Sequence, residues 1–470
     1  MTAGRRGGGA AGADRTGSAG GPPRTTRPAT IFARATGPGK AGVSVFRLSG
    51  PDAFAIAEQI SGALPAPRVA ALRTLKDAAG EAIDKGLVIL FPGPASYTGE
   101  DIAEFHLHGS FAVEQAAYET FTARGARAAE AGEFTRRALV NGKLDLAKVE
   151  GLADLLDAET ALQRKVALGQ LGGRLSALAE GWRSRLIACL APLESEIDFP
   201  DEDGVPAGIG LRALPEIDML IAELETVRSG AQRARAAREG VRIAIIGAPN
   251  AGKSSLLNAL AGSDRAIVSD LPGTTRDIVE ARLDLGGTLV SLFDTAGLRD
   301  DWSDPVEAEG IRRTRIKMEQ ADLRLLVVDV SRETSYRPDA RYDLTQNGDL
   351  LIFNKIDANP EFVAPNVSRE TFLISARTGE GVEALLERLT KIAADLTSTN
   401  IDAGLTRLRH EQAVAEAIGQ LGAARDVIGS APELAAENIR LAARALGAIT
   451  GAVGVEEVLG AIFSSFCIGK

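Results

Sequence analysis

The chain has 470 residues and a net charge of −10, with 45% hydrophobic and 25% charged residues, the balance of a soluble globular protein. That length exceeds one ordinary core and implies about three domains, while the acidity excludes a protein that coats nucleic acid by bulk electrostatics. Two cysteines, Cys189 and Cys467, exclude a disulfide framework and fit a reducing, cytoplasmic setting, and no apolar run reaches the length of a membrane span.

Residues 1–28 are rich in Gly, Ala and Arg with hardly an apolar side chain to bury, and a disordered tail is expected. Its arginines resemble those of a transit peptide, but glycines and prolines break the amphipathic helix that such a peptide needs. From 29 to 142, β-like runs (Ile31-Phe-Ala, Val43–Leu48, Gly86–Phe91) alternate with helical ones (Ala53–Ile60, Ala112–Ala123), which reads as an α+β domain. From 143 to 240 the period becomes helical, with Val149, Leu152, Leu156, Val166, Leu175, Trp182, Leu186 and Leu193 on one stripe. An acidic, Pro-containing stretch after Phe199 breaks it, and another helix is expected from about Pro215 to Gly240. Residues 241–395 alternate strand and helix, and their continuous apolar runs imply a mostly parallel, doubly wound sheet. A helical stripe returns over 396–470 through Leu408, Val414, Ile418, Leu421 and Leu441. An α/β unit inserted into one discontinuous helical domain is the expected multidomain α/β arrangement; two separate helical domains are the alternative.

The apolar run Val241–Ile246 leads into Gly247-Ala-Pro-Asn-Ala-Gly-Lys-Ser254, a P-loop. Gly247 and Gly252 let successive N–H groups face phosphate oxygens, Lys253 reaches the β/γ-phosphates, and Ser254 can ligate Mg²⁺. Gly273-Thr-Thr-Arg-Asp277 supplies a hydroxyl, best Thr275, for Mg²⁺ and the γ-phosphate, and Asp294-Thr-Ala-Gly297 places a carboxylate near the metal and an N–H near that phosphate. Asn354-Lys-Ile-Asp357 ends another strand, and the Asp357 carboxylate matches the N1–H and exocyclic amine of guanine, a donor pair that adenine lacks. Ser375-Ala-Arg377 supplies backbone and packing to the base. In this order the motifs describe a GTPase, and Asp357 argues against an ATPase.

Two departures from a Ras-like enzyme stand out. Leu298 occupies the place of the water-orienting Gln and cannot hydrogen-bond a water. Asp300, Asp301, Asp304, Glu307 and Glu309 follow it, carboxylates that are either a solvated loop or the source of a replacement. Asn250 within the P-loop is either a turn residue or a ligand for a monovalent cation beside the phosphates, where an arginine finger acts in other GTPases.

Gly247–Ser255, Gly273–Asp277 and the terminal Ile462-Phe-Ser-Ser-Phe-Cys-Ile-Gly-Lys470 together resemble the MnmE (TrmE) family of tRNA modification GTPases, as do Phe91–Asp101 and Asn141–Ala147. The resemblance implies a tetrahydrofolate-binding-like N-terminal domain, a helical domain and an inserted G domain. It implies a homodimer whose G domains pair around GTP and K⁺. It further implies an FAD-dependent partner, MnmG (GidA), in a heterotetramer that adds an aminomethyl or carboxymethylaminomethyl group to C5 of the wobble uridine of certain tRNAs, with 5-formyl- or methylene-tetrahydrofolate as the one-carbon source.

Carried over residue by residue, the family's K⁺ site falls on Asn250, Ser269, Leu271 and Thr274, and its Mg²⁺ ligands fall on Ser254 and Thr275. The carboxylate that orients the attacking water falls on Glu307, with Glu309 as the outside candidate. Folate contacts fall on Arg47, Glu104, Lys143 and Lys470, and Cys467 lies close to the presumed reaction site. The GTP-contacting set is then Asn250, Ala251, Gly252, Lys253, Ser254 and Ser255; Ser269, Asp270, Leu271, Pro272, Gly273, Thr274 and Thr275; Asp294, Thr295, Ala296 and Gly297; and Asn354, Lys355, Asp357, Ser375, Ala376 and Arg377. His106 and His108 share one strand face, but no third ligand is spaced to make a metal site. A ribosome-assembly GTPase that transfers no group is the rival reading.

Overall fold

The computed structural model describes residues 29–199, 206, 208–267, 280–294, 321–331, 349–398, 404–451, 459, 462–463, 466 and 469. The chain divides into two compact units, one ending at Phe134 and including Gly469, the other Thr135–Cys467.

In the first unit, β1 (Ile31–Arg34), β2 (Ala41–Ser49), α1 (Ala53–Ser61), β3 (Ala71–Lys76), β4 (Ala82–Phe91), β5 (Ile102–Gly109), α2 (Phe111–Ala123) and β6 (Arg127–Ala128) follow one another. The sheet order is β3-β4-β5-β2-β1-β6, antiparallel except for the β1–β6 pair. Period-two alternation explains its two faces. Phe46, Leu48, Phe105 and Leu107 are buried, while Arg47, Glu104 and His106 point the other way. Phe121 of α2 packs against Phe32, Phe46 and Phe105 with ring centroids 5.3, 6.4 and 5.5 Å apart and closes this core.

α3 (Glu133–Val140) leads into the second unit, where α4 (Leu146–Leu156), α5 (Ala161–Leu171), α6 (Arg174–Asp198), α7 (Leu214–Ser229) and α8 (Ala231–Glu239) precede the sheet. The single helix expected over Pro215–Gly240 is two, because the chain breaks at Gly230, whose N–H bonds back to the Val227 and Arg228 carbonyls. The α/β part holds β7 (Val241–Gly247), α9 (Lys253–Ala261), β8 (Glu280–Leu285), β9 (Thr288–Asp294), β10 (Leu323–Asp329), β11 (Leu350–Asn354), β12 (Thr371–Ile374) and α10 (Val382–Thr397). α11 (Leu408–Val427) and α12 (Pro432–Thr450) follow it. α6, α7, α11 and α12 share one core around Trp182, Leu186, Leu220, Leu421 and Ile439, so helices from both sides of the α/β part form a single discontinuous domain. Trp182 is buried there and its Nε1–H donates to Glu223 at 2.7 Å, which satisfies the indole's polar end.

The second sheet has the order β12-β11-β10-β7-β9-β8 and is parallel except for β8. Apolar clusters cover both of its faces, which is why β7, β9 and β11 read as mostly apolar runs without the alternation of a half-exposed strand. β8 alternates buried Ala281, Leu283 and Leu285 with the more exposed Arg282 and Asp284, a pattern that marks an edge strand.

Where the chain enters and leaves the α/β part, partly buried charges tie the two crossings together. Arg238 at the end of α8 donates to the Thr406 carbonyl at 2.9 Å, and Asp154 of α4 takes Arg407 at 2.7 Å. One turn back, Glu150 is buried, and burial alone would raise its carboxyl. Hydrogen bonds from His410 Nε2 (3.0 Å) and the Arg409 fork (2.7 Å for each bond) outweigh that and bring the group to about 2. Its folded value lies below the unfolded 4.5, so its stabilisation is complete above pH 4.5 and is lost as pH falls through about 2. The loss should approach about 3 kcal/mol in urea unfolding of the helical domain. A Glu150→Gln variant should lack this part of the acid dependence; an unchanged slope would contradict the assignment.

Candidate functional site

The carboxyl ends of β7, β9, β10 and β11 lie side by side, and Gly247, Asp294, Asp329 and Asn354 occupy them. This is where open α/β sheets bind ligands. β7 runs straight into the Gly-rich turn, Asn250 adopts φ 65°, and α9 begins at Lys253. Lys253 Nζ donates to the Gly247 and Ala248 carbonyls at 3.0 Å each. Burial lowers the pKa of this ammonium, and the nearby Asp294 charge works in the opposite direction.

Ser254 Oγ meets Asp294 Oδ2 at 2.5 Å, while the buried Oδ1 of Asp294 has no hydrogen-bond partner among the described residues. A hydroxyl and a carboxylate side by side, with one buried oxygen left over, suit a hard divalent cation such as Mg²⁺.

Across the cleft, Asn354 couples two loops. Its Nδ2 donates to the Ala251 carbonyl and its Oδ1 accepts from the Ala376 N–H, both at 3.0 Å. Lys355 Nζ reaches the Asn250 carbonyl at 2.8 Å and Asp329 at 2.5 Å. The Asp357 carboxylate accepts from the buried Ser375 hydroxyl at 2.7 Å and from the exposed Arg377 at 2.5 Å. The Ser375 bond, ahead of Arg377, holds this carboxyl below the usual carboxylate range, so it is anionic when a base arrives. These groups line a cavity of about 730 Å³ whose walls include Gly252, Asn354, Lys355, Asp357, Ala376 and Arg377. Motif reading passed over Asp329; the signal was an acid at the carboxyl end of a parallel strand.

Gly252 has φ 93°, and a Cβ there would lie 2.2 Å from Asn354 Nδ2. Gly252→Ala should therefore separate the P-loop from Asn354, and strain of about 1–3 kcal/mol translates into roughly tenfold weaker binding of a fluorescent GTP analogue. Parental affinity in that titration would remove the steric argument.

Ser269, Asp270, Leu271, Pro272, Gly273, Thr274, Thr275, Thr295, Ala296, Gly297, Leu298, Glu307, Glu309, Cys467 and Lys470 lie outside the described residues.

Residues 146–467 match the family model of the MnmE helical domain, and residues 30–143 match that of the GTP-binding protein TrmE N-terminus. The tRNA modification GTPase MnmE of Caulobacter vibrioides is 50% identical over 94% of this chain and 99% of its own length. The chain belongs to the MnmE family of tRNA modification GTPases. MnmE proteins of Maricaulis maris and Phenylobacterium zucineum are 49% and 50% identical, each over 94% of this chain and 99% of the relative. As a member of the MnmE family it is a GTPase that acts in tRNA modification.

The MnmE family's N-terminal positions have their own geometry in the first unit. Arg47 and Glu104 are cross-strand partners on β2 and β5, and Arg47 Nε and Nη2 both address Glu104 Oε1 at 2.9 Å. The guanidinium lies 5.7 Å from the ring centroids of both Tyr97 and Phe134. Glu104 Oε2 keeps a 3.5 Å contact with His106 Nε2, and His108 Nδ1 pairs with Asp84 at 2.8 Å. Each histidine thus has a carboxylate neighbour, and no metal-binding cluster occurs among the described residues. Lys143 lies in the second unit, on the turn between α3 and α4, and Gly469 is buried in the first.

Proposed function

We propose that this chain hydrolyses GTP to drive modification of C5 of the wobble uridine of certain tRNAs, in the cytoplasm, as a homodimer joined to the FAD-dependent MnmG (GidA) in a heterotetramer. The observation that carries this reading is the family match over residues 30–143 and 146–467, together with a cleft lined by Asp357, which suits guanine, next to the P-loop that carries Lys253. In this reading Lys253, Ser254 and Asn354 hold the nucleotide and its loops, and Asp294 and Thr275 complete the Mg²⁺ environment with Ser254. Asn250, with Ser269, Leu271 and Thr274, would hold K⁺, which supplies positive charge where the transition state gathers negative charge. Glu307 orients the attacking water in place of the Gln that Leu298 displaces. Arg47 and Glu104 take a folate, and Lys143 and Lys470 are the further folate positions that the family resemblance implies. Arg47 is already aligned by Glu104 and flanked by aromatic rings, so a carboxylate and a flat heterocycle both find matching groups there.

Comparison of wobble uridines in tRNA from cells with and without the chain tests the function as a whole. Loss of the modified nucleoside in its absence is expected, and an unchanged nucleoside profile would sink the reading. Calorimetry with 5-formyltetrahydrofolate and GTP turnover in K⁺ against Na⁺ separate its two finer parts.

A further inference from the structure

The hairpin β8–β9 is the chain that joins two nucleotide motifs. β8 follows Gly273–Asp277 in sequence, and β9 ends on Asp294. Its two-residue turn, Gly286-Gly287, has positive φ at both positions, 65° and 89°, the geometry of a rigid type I′ connection. The strands pair from Glu280–Phe293 to Leu285–Thr288, so displacement at one end of this ribbon is transmitted to the other.

The turn is seated on the helical domain. The Gly287 carbonyl accepts the Leu162 N–H at 3.0 Å, filling one of the donors that the first turn of α5 leaves open. Beside it, Arg282 of β8 pairs with Glu159 at 2.5 Å, and Gln163 of the α5 capping box donates to the Arg238 carbonyl at 2.9 Å. The Arg282 carbonyl also accepts the Ile267 N–H at 2.8 Å, so the residue that faces Glu159 is bonded to the chain just ahead of the Thr274-Thr275 motif. A half-exposed ion pair contributes little to stability. Its position between the nucleotide ribbon and α5 is what singles it out.

We infer that Glu159 and the N-terminus of α5 are positioning elements for the GTPase cycle, and that their seat on the β8–β9 turn passes the nucleotide state to the helical domain. The inference rests on the proposed link between hydrolysis and tRNA modification, and one of its two tests is independent of that link.

The independent test uses the 3.7 Å between Ala161 Cβ and the position a Cβ would take on Gly287, a length that suits a disulfide; the φ of 89° strains a Cys at 287, a cost common to both nucleotide states and so absent from the ratio of their rates. In the full chain carrying Ala161→Cys and Gly287→Cys, oxidative cross-linking is followed by mass spectrometry, nucleotide-free and with a non-hydrolysable GTP analogue. Cross-linking should be at least about fivefold slower with the analogue, the lower end of typical coupling between sites. Equal rates would overturn the inference. The second test replaces the parent in cells by Glu159→Arg, Arg282→Glu and the double exchange. Each single variant should lose at least about fivefold in modified tRNA with GTP affinity within twofold of the parent, and the exchange should restore modification. Singles with parental modification, or losses that track lost GTP affinity, would overturn it. A parent that itself restores no modified tRNA would instead count against the proposed function, leaving the cross-linking result to decide.

Discussion

Asp357→Asn is expected to weaken GTP binding about ten-thousandfold and to admit xanthosine triphosphate in its place. Guanine presents two donors on this edge, N1–H and the C2 amine, and an anionic carboxylate accepts both. An Asn carboxamide turns one of those acceptors into an N–H₂ that faces another donor, and the mismatch leaves buried polar groups unpaired. Xanthine carries a carbonyl at C2, so the same N–H₂ finds an acceptor. The surroundings favour a clean exchange. Ser375 Oγ can donate to an amide oxygen as it does to Asp357 Oδ1 at 2.7 Å, and Arg377, 80% exposed on its side chain, can swing into solvent. Nucleotide titrations with GTP and xanthosine triphosphate check the reversal. Retained preference for GTP would mean that the base is read elsewhere.

Much of this cleft was legible because phosphate and base recognition depend on local backbone. An apolar strand, two glycines and a Lys-Ser pair force one turn and one helix start, and Val241–Gly247 and Lys253–Ala261 formed as expected. The parallel sheet followed from the continuous apolar runs of β7, β9, β10 and β11. β8 escaped because six residues alternating Glu, Arg and Asp with Ala, Leu and Leu carry little apolar signal; its neighbour β9 and the Ala266–Leu283 bridge supply the rest. Asp329 escaped because its role depends on Lys355, a residue of the adjacent strand's loop. The Glu150–His410 bond spans 260 positions in sequence, and no period or spacing encodes such a pair. Two helical stripes flanking the sheet left open whether they met. The shared core of α6, α7, α11 and α12 shows that they do, since neither pair alone covers Trp182, Leu421 and Ile439. Arg47 and Glu104 gained significance only from the family resemblance, although their register opposite one another on β2 and β5 is what makes them a pair.

Lys253→Ala should lower kcat/KM for GTP by about a thousandfold while leaving thermal unfolding nearly unchanged, because its charge is held by backbone dipoles rather than by a folded-state ion pair. The ammonium sits between the Gly247 and Ala248 carbonyls, and burial already pushes its pKa down. Removing it relieves desolvation and gives up two hydrogen bonds, effects of opposite sign and similar size for the folded protein. For a triphosphate the balance differs. The β/γ oxygens gain negative charge in the transition state, and Nζ is the cation that α9's first residue carries at the mouth of the P-loop. Lys253→Arg should not rescue turnover, since a planar guanidinium cannot place a compact charge between two carbonyls. Steady-state hydrolysis alongside a thermal melt separates the outcomes: turnover above roughly a tenth of the parent's in Lys253→Ala would show that this cleft is not where the phosphates are held.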